Sequence, residues 1–522
     1  MRRVYRPMLT EFEPRQLLSG SVDVLTWHND NARTGQNLDE TTLTPSNVNA
    51  ATFGKLFTDP VDGAIYAQPL VMTNLAIPGQ GTHDVVFVAT ENDSVYAFDA
   101  DNPGVPLWHD SFIDPAAGIT PIPTTQAWQD DLNPEVGITG TPVIDPTTDT
   151  LYVVSKVQVT TAAGTSYVMQ LHALDVTTGA EKMGGPVTIQ ATVPGRGAGH
   201  IGKTVSFQAE WEIQRPGLLL ENGVVYVAFS SLGDYGPYHG WVIGYNASNL
   251  QPVAVFNDTP NSNDRTHNLG GIWMAGGGLA ADPAGWIYLL TGSGEFNPRQ
   301  GSYSDAALKL SPTLQVADYY APTDTTHLDQ DDLDLGSGGV ILAPSVPGGL
   351  PNTLIGGGKD GTLDVLNTAS LGGQKARNKN LQAIANPSHG IFSTAAYSNG
   401  FVYIQAVGDV LRQYVMINGK LFGPVAESST SFGYPGATPS ISSNNGANGI
   451  VWEIEHTGTR GVTGPAVLHA YNALNVSQQL YNSTQAGARD ALGTAVKFTP
   501  PTIANGKVYV ATATGLSVFG EL

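Results

Sequence analysis

Short runs of β-branched and aromatic residues, broken by polar turns of Gly, Asn, Asp and Ser, recur down almost the whole chain and predict hairpins arranged as a repeat. One copy reads VVFVATENDSVYAFDADNPGVPLW from Val85 to Trp108; another reads GVVYVAFSS and GWVIGYNASNLQPVAVF between Gly223 and Phe256; a truncated one, GKVYVATATGLSVFG, runs from Gly506 to Gly520. Each copy is preceded by a short opener that carries proline, as in Gln68-Pro69-Leu70-Val71, Thr141-Pro142-Val143-Ile144, Arg215-Pro216-Gly217-Leu218 and Thr438-Pro439-Ser440-Ile441. Proline donates no ladder hydrogen bond, so the openers belong at strand starts or sheet edges. A run such as Val508-Tyr509-Val510 then leads through a turn to a second run such as Val95-Tyr96-Ala97-Phe98, and a last strand follows a turn of the kind Asp175-Val176-Thr177-Thr178-Gly179. The unit therefore has about four strands.

Units open near Gln68, Thr141, Pro216, Gly278, Gly339, Thr394, Thr438 and Pro501, about 40 to 75 residues apart. The expected fold is all-β: a single β-propeller of eight four-stranded blades, with seven as the alternative count and an open β-solenoid as the rival architecture. The last unit stops after Val518-Phe519 without a fourth strand, and Phe53–Thr58 is a lone strand pattern ahead of the first opener. Pairing the two would close the ring and remove its exposed edges. Helical periodicity is scarce; Thr44–Ala51 predicts a turn or two before the closing strand. The chain divides into an N-terminal segment, 1–21, and a propeller, 22–522.

Composition fits one large turn-rich domain: 61 Gly and 34 Pro in 522 residues, with 41% hydrophobic residues. Against 45 acidic side chains stand 24 basic ones, a net charge of −21, which disfavours nucleic acid and anionic membrane surfaces as partners. A protein or carbohydrate ligand is the expected partner and a monomer the expected state. With no cysteine there is no disulfide, thiolate metal site or cysteine nucleophile, and no apolar run is long enough for a membrane-spanning helix. The glycine clusters at 276–278 and 356–358 are not at strand-to-helix junctions and do not read as phosphate loops.

Residues 1–20, MRRVYRPMLTEFEPRQLLSG, lack the apolar stretch of an ordinary secretory signal. Phe12-Glu13-Pro14-Arg15-Gln16-Leu17-Leu18-Ser19 resembles the Leu-Glu-Pro-Arg-x-Leu-Leu-Ser segment at the start of many surface and secreted planctomycete proteins, with Phe12 in place of Leu. The resemblance implies export to the cell surface, periplasm or medium.

The repeats resemble the propellers of pyrroloquinoline-quinone (PQQ) proteins, a fold shared by quinoprotein alcohol dehydrogenases and non-catalytic assembly propellers. It is carried by Val-Tyr-Ala-Phe-Asp-Ala at 95–100, Leu-His-Ala-Leu-Asp-Val at 171–176, and the approach Asn29-Asp30-Asn31-Ala32-Arg33-Thr34-Gly35 followed by Leu43-Thr44-Pro45-Ser46-Asn47-Val48. These phrases speak for the fold and are nearly silent on activity. A quinoprotein needs a cation to polarise the quinone, a carboxylate base and flat walls around the cofactor. The resemblance implies Asp331, in Asp331-Asp332-Leu333-Asp334, as the catalytic aspartate, although Leu333 replaces the family's tryptophan. It implies calcium near Asp234, Glu295, Asn297 and Asp331, with Ser293 or Gly294 where the family carries its metal-binding asparagine. The floor tryptophan falls near Gly276, so that Trp273 would have to serve by a shift as the cofactor-binding residue. The vicinal cysteine pair and any haem-attachment motif are absent.

The residues by themselves require no cofactor; calcium enters through the resemblance, and the departures weigh against PQQ. The sequence therefore reads as an exported binding or scaffold propeller. The alternatives are a PQQ- and calcium-dependent alcohol or sugar dehydrogenase and, second, a propeller lyase or hydrolase using the same acidic mouth. Asp99 and Asp175 are expected to begin turns, His172 and His469 to pack in equivalent repeat slots, and His28 and His239 to be structural hydrogen-bonding residues.

Overall fold

The computed structural model describes residues 22–125, 132–262, 269–377, 382–386, 389–458 and 464–522. Each predicted opener leads into the innermost strand of a four-stranded antiparallel blade, and eight blades form a propeller. The inner strands are Leu70–Ile77, Val143–Asp145, Leu219–Glu221, Ala280–Ala281, Val340–Pro344, Ala396–Ser398, Ser440–Asn444 and Thr502–Ala504. Blade 8 is closed as the sequence implies: Phe53–Pro60 pairs antiparallel with Gly515–Glu521, Phe53 opposite Glu521 and Thr58 opposite Ser517. Phe53 is fully buried, with Trp452, Tyr481 and Phe519 at ring-centroid distances of 5.5, 5.1 and 6.1 Å. The closing strand thus binds blade 7 to blade 8 through aromatic contacts as well as through its ladder.

The recurrent tyrosine of the second strand joins neighbouring blades. Tyr152, Tyr226 and Tyr403 donate their hydroxyls to the carbonyls of Ala247, Pro312 and Ala473, each in a turn of the next blade. All three are fully buried, where an apolar ring body packs and the hydroxyl needs the partner it finds. Between blades 1 and 2 the Trp108 indole plays this part, donating to Val176.

The segment before the closing strand runs along the inner strands of all eight blades in order. Val24 bridges Val71 in blade 1, and the Leu25 carbonyl accepts from Ile144 in blade 2. Asn31 donates to Leu220 in blade 3 and accepts from Ala281 in blade 4. The carbonyls of Ala32, Thr34 and Gly35 accept from Leu342, Tyr397 and Ile441 in blades 5, 6 and 7, and the Asn37 amide donates to Ile503 in blade 8. At its centre Arg33, fully buried, donates to Leu279, Leu218, Trp27 and the Thr26 hydroxyl. Burial lowers its pKa to about 10. The Asn29–Gly35 phrase is thus an internal plug whose polar groups serve inner-strand backbone that would otherwise lack partners.

The expected structural residues are confirmed. Asp99 and Asp175 accept from the backbone N–H of Asp101 and Thr177 two residues on. His172 stacks on Phe112 at 3.7 Å and His469 lies 4.9 Å from Phe432, each paired with a carboxylate, Glu181 and Glu455. His28 and His239 are buried with both ring nitrogens at hydrogen-bonding distance from protein atoms. No helix among the described residues is long and apolar enough to cross a membrane.

Candidate ligand cavity

The loops leading into the inner strands, together with those that follow Val224–Ser231, Ile287–Leu290 and Pro351–Gly357, line a cavity of about 410 Å³. Trp273, Phe392, Tyr434 and Phe498, from the lead-ins of blades 4, 6, 7 and 8, line it and touch in a closed circuit. Centroid distances are 6.0 Å for Trp273 to Phe392, 5.3 Å for Phe392 to Tyr434, 6.5 Å for Tyr434 to Phe498 and 6.4 Å for Phe498 to Trp273. Phe392 and Phe498 stand four positions ahead of their inner strands, as does Arg215 ahead of Leu219. The repeat aims this slot at the axis, so Arg215 sits among the rings, its guanidinium 4.6 Å from the centroid of Phe498.

The charged wall is built on Lys359, in the turn after Pro351–Gly357. Its ammonium lies 2.7 Å from Asp334 and 2.8 Å from Asp332, and 5.7 Å from the Trp273 centroid. Burial alone would pull the lysine pKa down; Asp334 and then Asp332 outweigh it and hold the ammonium above its ordinary value. Asp334 is fixed further by the Ser293 N–H, which donates to Oδ1 at 2.5 Å, and by its own carbonyl, which accepts from the Lys359 N–H at 2.9 Å. Gly292 makes this approach possible, because a Cβ there would stand 2.8 Å from Asp334 Oδ1. Burial, then the Asp334 charge, raises the neighbouring Asp305 carboxyl well above the usual range.

Of the residues the sequence singled out for the site, Asp234, Trp273 and Ser293 reach the cavity. Asp234 lies at the rim, accepting from the Ser231 hydroxyl at 2.6 Å, with a left-handed φ of 59°. Asp331 does not line the cavity. It caps the short helix Thr325–Gln330, pairs with His327 one turn back, and leaves 58% of its side chain in solvent. Asp334 follows the turn inward in its place, while Asp332, its side chain 62% in solvent, reaches Lys359 from the mouth. Glu295 and Asn297 belong to a small hairpin, where the Asn297 amide reaches Glu295 at 3.4 Å, and they do not line the cavity either. Among the described residues no group of three or more His, Asp and Glu side chains is placed to hold a metal ion.

No family profile matches the sequence, and no curated protein matches it. Solved structures do resemble the fold. The chain superposes on a europium-containing methanol dehydrogenase with a TM-score of 0.60 at 15% identity, covering 95% of this chain and 98% of that one. Quinohemoprotein alcohol dehydrogenases from Pseudomonas putida HK5 and Comamonas testosteroni give TM-scores of 0.59 and 0.58 at 14% and 15% identity, each over 95% of this chain and 80% of the other. The chain therefore has the β-propeller fold of the quinoprotein alcohol dehydrogenases. At such identity the likeness establishes the fold and carries no activity.

Proposed function

We propose that this chain is an exported binding propeller that holds a small ligand in its axial cavity, in preference to a metal-dependent dehydrogenase. The observation that carries the reading is the Lys359 ammonium seated between Asp332 and Asp334. A calcium ion takes six to eight oxygen ligands, whereas here the best placed carboxylates already face a fixed cation and a backbone N–H. The donor set does not fit a divalent ion. A lyase or hydrolase would need a carboxylate free to exchange a proton, and the same ion pairs oppose that. Trp273 in the cavity wall is the observation that favours the quinoprotein alternative.

The two readings separate in one experiment. Millimolar calcium, alone and with PQQ, is expected to leave the melting temperature unchanged and to give no alcohol-dependent dye reduction. A calcium-dependent rise in melting temperature that disappears in Asp334→Asn, with dye reduction, would establish the dehydrogenase instead. Export rests on the Glu13-Pro14-Arg15-Gln16-Leu17-Leu18 match, which lies outside the described residues. Fusing residues 1–20 to a reporter in a planctomycete host is expected to carry it out of the cytoplasm; a reporter retained inside would refute the assignment.

A further inference from the structure

Two buried polar atoms in the cavity wall, Arg215 Nη2 and Ser293 Oγ, have no hydrogen-bond partner. Arg215 is nine-tenths buried, yet its Nη2 meets no acceptor, and the guanidinium makes no ion pair among the described residues. Ser293 is almost fully buried with its Oγ unpartnered, although its own N–H is engaged by Asp334. An unmet buried donor costs free energy, and a guanidinium more than a neutral group. Such groups are completed by ordered water or by a ligand, and these two face one cavity. The other cation of the wall, Lys359, is already matched by two carboxylates, whereas Arg215 meets only the longer-range charge of the buried Glu91, which lies beyond ion-pair distance, so Arg215 is the charge left for a ligand.

We propose that the cavity takes a flat small molecule bearing a single carboxylate, the carboxylate on Arg215 and the planar body against the rings of Trp273, Phe392 and Phe498. The inference rests on the binding-propeller reading and names the ligand class. A guanidinium fork matches carboxylate geometry with two parallel hydrogen bonds. A dianionic phosphate is disfavoured, because Asp234, Asp332 and Asp334 line the same space and would repel the second charge. The planar body follows from the circuit of rings, which offers apolar faces and edges at van der Waals range rather than hydrogen-bonding groups for a polyhydroxylated surface.

The test uses the full chain and two probes differing only in charge, naphthalene-2-carboxylate and naphthalene-2-carboxamide, followed by isothermal titration calorimetry. The carboxylate is expected to bind about tenfold or more tightly than the amide. Arg215→Met is expected to abolish that preference, weakening the carboxylate alone, and Arg215→Lys to retain part of it. Circular dichroism and melting of both variants show whether the fold survives, and Arg215→Lys keeps the test alive if Arg215→Met does not fold. Amide and carboxylate binding equally would overturn the carboxylate assignment while leaving a ligand cavity. Failure of both probes to bind the unmutated chain at millimolar concentration would overturn the cavity reading itself.

Discussion

Glu91 shows how single buried groups set the pH response of this protein. Its carboxyl is fully buried, accepts from the Gly137 N–H at 2.7 Å and the Thr139 hydroxyl at 3.1 Å, and has one oxygen without a partner. Burial, only partly offset by those bonds, raises its pKa from 4.5 to about 7. Between these values the folded chain holds a proton that the unfolded chain has released. Its contribution is therefore fully present below pH 4.5 and is lost as the pH rises through 7. Asp258, raised to about 7, acts in the same direction, whereas His28, lowered to about 4, acts in the opposite one. The clean measurement is thus a difference. Glu91→Gln should melt with the unmutated chain near pH 4 and gain on it progressively to pH 8, by an amount on the order of a few kcal/mol; parallel melting curves across that range would refute it. Lys359 sets a second expectation at this scale. Lys359→Met strands the Asp334 carboxylate beside Asp305 and should cost about 3 kcal/mol in thermal or denaturant unfolding. Adding Asp334→Asn should recover part of that loss, because the two residues are in direct contact.

At the scale of elements, what could be read from the sequence followed from periodicity. Strand residues alternate, turns repeat, and proline marks each opener, so the eight inner strands, the closing strand and the turn-starting Asp99 and Asp175 all fall where the pattern puts them. Loop residues have no period. In Asp331-Asp332-Leu333-Asp334 the direction of each carboxylate depends on where the helix Thr325–Gln330 stops, and one turn separates a solvent-facing Asp331 from a buried Asp334. Lys359 and Arg215 lie in lead-in and turn positions that become neighbours of the cavity only through ring closure. A signal for Arg215 was present all the same, since it occupies the repeat slot that holds Phe392 and Phe498. The plug is the element whose weight the sequence understates. Arg33→Met would leave the carbonyls of Leu218, Leu279 and Trp27 without their donor inside the ring. A loss of about 3 kcal/mol or more is expected, while removing residues 1–20 should leave the melting temperature unchanged. Equal melting of Arg33→Met and the unmutated chain would show that the plug does not hold the blades together.

For the whole molecule the decisive junction is the one between chain ends, because within the four antiparallel strands of each of the other blades neighbouring strands are joined through local connections, and the other distant pairing into a blade, Gln36–Asn37 with Ile441 and Ser442, is only two residues long. Phe53–Pro60 reaches Gly515–Glu521 across nearly the full length of the sequence, so opening this ladder would convert a closed ring into an arc with two bare edges. The chain has no cysteine to interfere with a designed lock. Thr58 and Ser517 are directly opposed and their hydroxyls are 2.9 Å apart. Opposed residues in antiparallel strands have Cα separations within the range a disulfide spans. Thr58→Cys with Ser517→Cys should therefore oxidise without distortion and constrain an unfolded loop of several hundred residues, a stabilisation of about 4 kcal/mol. Oxidised protein is expected to melt higher than the same protein under reductant, and the single variants should show no such difference. If the bond forms and the melting temperature does not move, unfolding starts within a blade rather than at the seam, and the closing strand is not the element that limits stability.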